Sequence, residues 1–323
     1  MHPVSRPMFH RIDQYILRLR TRVRAGLRTA SRVRLLLALL PLLAFVPVAC
    51  NKTDDSGGGG TPAPTPPPGT PIAYTAIGAS DALGVGSSAP CLPLTACPDG
   101  RGYVPLVARE LGSDGTTVTL SNLGIPGGVL SPAIQAIGNQ YGRGIPGNFL
   151  EHAMPFVSRS STVVTIFAGG NDTNAIATAV DRGAAGGDPN GYIDRQVQGF
   201  ASDYAALVRG VRARAPDARI VAMNLPNMAA LPYAAAFTLT QRRYLQRISV
   251  GFSEGANELV NEGVVVVDLM CDSRSYDSGM YSGDGFHPND AGYAYLASEL
   301  VRAIRTAGYP PPQADCGFKR SVG

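Results

Sequence analysis

Four short blocks, each rich in glycine, hold the residues of this 323-residue chain best able to do chemistry. Ser80 stands in Gly78-Ala79-Ser80-Asp81, with Gly84 and Gly86 close behind. A serine hydroxyl is a poor nucleophile until a neighbouring base takes its proton, and that base needs a partner to fix its tautomer. Gly283-Asp284-Gly285-Phe286-His287-Pro288-Asn289 offers both, because three residues of separation let the Asp284 carboxylate reach the His287 ring locally. Between them lie Asn122-Leu123-Gly124-Ile125-Pro126-Gly127-Gly128 and Ala168-Gly169-Gly170-Asn171-Asp172. The glycines of the first let backbone N–H groups approach a ligand, and the amide of Asn171 can donate to a developing oxyanion. Nucleophile, base, orienting acid and anion donors together are the parts of an acyl-transfer site. The choice of base is narrow: His2 and His10 lie in the N-terminal leader, and His152, without glycine or a strand end beside it, reads as a helix-surface residue.

Each block alone also reads as an ordinary turn or helix cap. Their value depends on the elements that carry them. Apolar and β-branched runs recur at 73–77, 117–120, 162–167, 219–223 and 264–269. Between them, helical spacing covers 103–111, 193–215, 240–261 and 290–307. Buried strands alternating with helices predict an α/β fold with a parallel sheet covered on both faces. Ligand sites in such sheets gather beyond the carboxyl ends of the strands, and every block follows its own strand. Segments 173–194 and 229–239, next to strand ends, are predicted pocket walls, with Ala175, Ile176, Ala177, Ala234 and Phe237 supplying small and apolar surface.

Residues 1–49 do not read as part of the folded domain. Nine arginines and one aspartate, all within 1–34, precede an apolar run from Leu35 to Ala49, the pattern of an export signal. The run is short of the ~20 residues a spanning helix needs, which disfavours an uncleaved anchor. Val46-Pro47-Val48-Ala49-Cys50 resembles a bacterial lipobox, although Pro47 departs from it; lipidation at Cys50 would tie the protein to the membrane of the cell envelope, and cleavage with release is the competing expectation. Residues 50–71, with Gly57–Gly60 and a Pro/Thr run, are predicted to be a tether. The leader's nine arginines and one aspartate leave 19 basic and 23 acidic residues of the chain's 28 and 24, a net charge of −4 that offers nucleic acid no basic face. Beyond Cys50, the four cysteines allow three pairings; Cys91–Cys97 with Cys271–Cys316 is preferred, since each then ties down a loop or the C-terminal tail. Their spacing does not suit a metal.

In this order, each after a strand, the four blocks resemble the SGNH or GDSL hydrolase family over roughly residues 72–304. The resemblance implies a three-layer α/β/α, flavodoxin-like domain over 72–323 with a central parallel five-stranded sheet. It implies a serine esterase or lipase that cleaves carboxylic esters of small molecules, glycans or lipids without metal or organic cofactor. Ser80 would be the nucleophile, His287 the base and Asp284 its partner; the Ser80 and Gly127 N–H groups and the Asn171 side chain would form the oxyanion hole. Block one departs from the family pattern, reading Gly-Ala-Ser-Asp for Gly-Asp-Ser-Leu, which leaves the subfamily open but removes no catalytic atom. An α/β-hydrolase also has the order Ser, Asp, His, but here Ala82 replaces the elbow's last glycine and acid and base share one loop. From another class, a non-catalytic carbohydrate- or envelope-binding lipoprotein on the same scaffold is the alternative.

Overall fold

Runs dominated by β-branched and small apolar residues form the strands: β1 (Ile72–Ile77), β2 (Val118–Asn122), β3 (Val163–Phe167), β4 (Arg219–Met223) and β5 (Val265–Val267). In this computed structural model, which describes residues 60–95 and 97–322, they pair in parallel in the order β2-β1-β3-β4-β5. The predicted signal at 1–49 and Cys50 lie outside the described residues. Side chains alternate between two cores, as a period of two requires. Val164, Ile166, Ile220, Ala222 and Val266 enter one, while Val163, Val221, Met223, Val265 and Val267 enter the other.

The second core is closed by α1 (Tyr103–Leu111), through Tyr103, Val104, Val107 and Leu111. The first is closed by α2 (Pro132–Gln140), the single turn α3 (Phe149–His152), α4 (Gly170–Asp181), α5 (Pro189–Arg214) and α6 (Leu239–Asn257). A last helix, α7 (Asp290–Arg305), returns to the α1 face through Tyr293, Leu296, Leu300 and Ile304. Three layers result, as the sequence predicted. Strand starts differ from the expected runs by at most one residue, while two strand ends differ by two, for local reasons. β2 runs on to Asn122, which pairs with Ala76, and β5 stops at Val267 because the Asn224 side chain takes the N–H groups of Leu269 (2.6 Å) and Met270 (3.0 Å).

From β1 the chain goes to β2 on one side of it, and then to β3 on the other. This reversal leaves a crevice at the carboxyl ends of β1 and β3, where neither crossover covers the sheet. Both cysteine pairs are bonded in the preferred arrangement, Cys91–Cys97 and Cys271–Cys316.

The described part of the predicted tether, 60–71, is not free. Gly60 N–H donates to the Asn261 carbonyl (2.7 Å), and the Ala63 carbonyl accepts from Arg219 Nη1 (2.7 Å). Arg219, the first residue of β4, is 1% exposed and donates through Nε and Nη2 to the carbonyls of Ala303 and Thr306 at the C-terminus of α7. Those carbonyls have no partner within the helix, and a cation there opposes the helix dipole. Arg219→Met should therefore lower unfolding free energy by about 3 kcal/mol, leaving several buried carbonyls unpaired. Urea denaturation would show a lower midpoint at an unchanged slope.

Candidate active site

After Ile77 the chain turns sharply, and the N–H groups of Leu83 and Val85 both donate to the Ser80 carbonyl (3.2 and 3.0 Å). The turn leaves the Ser80 hydroxyl facing the crevice, with Oγ 2.8 Å from Nε2 of His287. Two loops must nearly touch for this. A Cβ on Gly86 would stand 2.6 Å from the Pro288 carbonyl oxygen and 2.8 Å from the His287 Cβ, and φ there is +97°. Only glycine lets the serine's loop pass the histidine's.

His287 Nδ1 lies 2.6 Å from Asp284 Oδ2. The other oxygen, Oδ1, accepts from the N–H groups of Phe286 and His287 and the hydroxyl of Ser282, each at 2.9 Å. Partial burial works against the charge of Asp284, but the bonds from the His287 ring and the two N–H groups hold its carboxyl well below the usual carboxylate range. An ionised carboxylate only accepts, so the ring proton sits on Nδ1 and Nε2 is left to accept from Ser80. The local reach between Asp284 and His287 foreseen from their spacing is present.

The other two blocks flank the serine. Asn171 lies in the first turn of α4, and its Nδ2 donates to the Gly128 carbonyl (3.0 Å). A primary amide has a second N–H, which this bond leaves free. Gly127 has φ +73°, a left-handed conformation that suits glycine and turns the peptide away from its neighbours. Among the described residues, no protein acceptor takes the N–H of Ser80 or of Gly127. Gly128, rather than Gly127, lines the cavity beside Ser80. His152 is exposed on α3, as expected, away from this cavity.

That cavity, of about 90 Å³, runs along the ends of β3, β4 and β5 beneath Phe286 and His287. Leu225, Met228, Leu269, Met280 and Leu296 make it apolar. The predicted walls are largely elsewhere. Nothing from 173–194 lines it, because 170–181 is a helix whose Ala175 and Ile176 are buried in the core. Of 229–239 only Leu231 does so, while Ala234 is buried in a satellite cluster.

Two acids beside the site carried no signal as site residues. Asp81 lines the cavity and accepts the Ala79 N–H (3.0 Å); burial pushes its carboxyl up to about 6, against the pull of His287. Asp172, 1% exposed, accepts the Leu130 N–H through Oδ1 (2.7 Å), and burial pushes it up to about 7. Both stand next to a residue singled out from sequence, but nothing in the sequence says where their side chains point.

Comparison with known proteins supports what the geometry suggests. Residues 76–295 match the family model described as GDSL-like Lipase/Acylhydrolase. The crystal structure of the lipase Lip_vut3 from a goat rumen metagenome superposes with a TM-score of 0.50 at 19% identity, covering 74% of this chain and 98% of that one, and shows the same fold. An extracellular lipase from Streptomyces rimosus (17% identity, TM-score 0.49) covers 72% of this chain and 99% of its own. No curated protein matches the chain in sequence. With two thirds of its length matched by the family model, and all four blocks inside that span, the chain belongs to the GDSL-like lipase/acylhydrolase family of ester hydrolases.

Proposed function

We propose that Ser80 attacks the carbonyl carbon of a carboxylic ester, with His287 as base and Asp284 as the group that orients it. The observation that carries this reading is the continuous hydrogen-bonded chain from Ser80 Oγ through both nitrogens of His287 to Asp284 Oδ2. In the first half-reaction, Nε2 takes the hydroxyl proton as the Oγ–C bond forms, then passes it to the departing alcohol. Water, deprotonated by the same nitrogen, then releases the acid from Ser80. The imidazolium formed in each step is stabilised by Asp284, whose low pKa keeps it charged.

The tetrahedral oxyanion would be held by the N–H groups of Ser80 and Gly127 and by the free amide N–H of Asn171. Adjacent residues tie these donors together: Asn171 binds the Gly128 carbonyl and Asp172 binds the Leu130 N–H. The start of α4 and the 127–130 loop thus move as one, which is what preorganised donors need. The apolar cavity suits the acyl group. The same reading takes 1–49 as an export signal and Cys50 as a lipidated anchor, supported by the basic, apolar and small-residue pattern of that segment.

Ser80→Ala and His287→Ala should each abolish turnover of a short-chain p-nitrophenyl ester while circular dichroism stays unchanged; full activity in Ser80→Ala would remove the mechanism. Asn171→Ala should lower kcat about 10²–10³-fold with little change in KM, since its free N–H acts only once charge has developed. Asp172 gives a pH signature in stability. Its native pKa of about 7 lies above the ordinary carboxylate value, so the native state holds a proton that the unfolded state has lost. Its contribution is complete below about pH 4 and disappears as pH rises through about 7. Asp172→Asn, which keeps the acceptor for Leu130, should flatten that decline; urea unfolding at pH 5 and pH 8 measures it, and parallel declines in both proteins would refute the assignment.

A further inference from the structure

Resting on the ester-hydrolase reading, the next question is where the alcohol part of the ester lies, since the apolar cavity beneath His287 is filled by the acyl part. Beyond that cavity, a face of α4 leads away from Asn171. Of residues 171–180, only Asn171, Asn174, Ala177 and Thr178 are not buried, a stripe at helical spacing. None of the last three lines the apolar cavity. Apart from Ala177, which packs against the core, the stripe is polar: Asn174 Oδ1 accepts from the Tyr233 hydroxyl (3.3 Å), which leaves the Asn174 amide N–H groups as donors, and Tyr233 packs edge-on against Phe286 beside His287.

At the far end of the stripe stands Arg143, with Nη1 3.3 Å from the Thr178 hydroxyl oxygen. From Asn171 to Thr178 is seven residues of helix, about 10 Å at a helix's usual rise. The arginine sits on a built loop. Gly142 and Gly144 on either side have φ of +77° and +62°, and the Arg143 N–H donates to the Gly138 carbonyl (2.9 Å). Arg182 buttresses the loop from α4's end by donating to the Tyr141 carbonyl (2.5 Å). Among the described residues, neither arginine pairs with a carboxylate. The nearby Asp181 is engaged by Gln241 Nε2 (2.8 Å). Desolvation of its guanidinium and, after it, the second cation Arg182 lower the pKa of Arg143. Both arginines are exposed, so together they present a positive patch to solvent that attracts an anion.

We infer that the Asn174–Thr178 face of α4, ending at Arg143, is a subsite for the alcohol portion of the ester, and that this alcohol is a hydroxyl-rich chain bearing a carboxylate, an acidic glycan. Substrate hydroxyls can accept from the Asn174 amide and donate to the oxygens of Tyr233 and Thr178, whose own protons go to Asn174 Oδ1 (3.3 Å) and the Asn174 carbonyl (2.6 Å). A carboxylate suits the planar guanidinium fork of Arg143. The separation between Asn171 and Arg143 requires an oligomer rather than a single ring.

Steady-state kinetics on O-acetylated oligogalacturonides and O-acetylated cello-oligosaccharides test this. At low salt kcat/KM should favour the acidic substrate by about tenfold, the size of one charge-assisted hydrogen bond. Arg143→Gln should remove that preference and Arg143→Lys restore part of it; high salt should weaken it in the wild type, because the contact is exposed. Equal rates on the two glycans, a preference unchanged in Arg143→Gln, or faster turnover of phosphatidylglycerol than of either glycan would overturn the subsite. p-Nitrophenyl acetate separates the two levels of failure. Ser80-dependent turnover of it with equal glycan rates sinks the subsite alone, whereas no Ser80-dependent turnover of any ester sinks the proposed function beneath it.

Discussion

The hydrogen bond between Ser80 and His287 joins residues 207 positions apart, and most of the domain can be read as the means of making it. Neither partner sits on regular structure. Ser80 is on the turn after β1, an interior strand of the sheet; His287 is on an irregular loop before α7, which packs on the face opposite α4, α5 and α6. A 2.8 Å contact between two such loops needs both held from outside. On the serine side the hold is the bifurcated acceptance at the Ser80 carbonyl. Between the loops it is Gly86, lying against His287, together with Asp290, whose carboxylate accepts from the Ser88 N–H (2.7 Å) and hydroxyl (2.6 Å). The Tyr293 hydroxyl, donating to the Val85 carbonyl (2.6 Å), adds a third tie from α7.

Around this bond the surroundings divide by polarity. Towards β4 and β5 the strand ends are capped by Leu225, Met228, Leu269 and Met280, so the space there excludes water and favours an alkyl group. Along α4 the side chains that are not buried are, Ala177 apart, amides and a hydroxyl. An ester is itself divided in this way, and a site that binds its two ends in different media fixes the orientation of the carbonyl between them. The acids Asp81 and Asp172 lie at the boundary, buried enough that each holds a proton to higher pH than an exposed carboxyl does.

What the sequence revealed followed from local rules. Strand identity came from β-branched runs, the Asp284–His287 pair from a three-residue spacing, and the cysteine pairing from loop closure. The helix α4 was missed because its first residues are Gly170, Asn171 and Asp172, weak helix formers whose function overrides propensity. The wall expected at 173–194 is therefore in part this helix, while of the second expected wall, 229–239, only Leu231 reaches the cavity. The cavity itself had no readable signature. Phe149, Leu225, Met228, Met280 and Leu296 come from separate segments, and only the tertiary arrangement gathers them. For residues 60–71 composition misled in the opposite sense: a Pro/Thr run too polar to form a core is nevertheless bound, through its backbone, to Arg219 and the 261–263 turn.

The segment from Asp268 to Asn289, with only two short 3-10 turns (Ser273–Tyr276 and Ser278–Met280), shows how a stretch without α-helix or strand can hold a catalytic geometry. Its order comes from side chains that bind backbone nearby. Asp272, Asp277 and Asp284 each accept an N–H two residues on, at 2.8–2.9 Å, so that the chain folds into successive tight turns. Asn289 closes the series, accepting the Ala291 and Gly292 N–H groups as cap of α7 while donating to the carbonyls of Gly279 and Tyr281. From behind, the C-terminal tail presses on it: Phe318 stacks on Tyr276 (4.3 Å between centroids), and Cys316 is bonded to Cys271. Tyr276 in turn donates to the Met270 carbonyl (2.7 Å) and accepts from the Asn227 N–H (3.0 Å), joining this loop to the end of β4. A loop fixed at so many points loses little entropy when substrate arrives, because its ordering cost is already met on folding. The imidazole can then keep its aim through a catalytic cycle without an α-helix or strand beneath it.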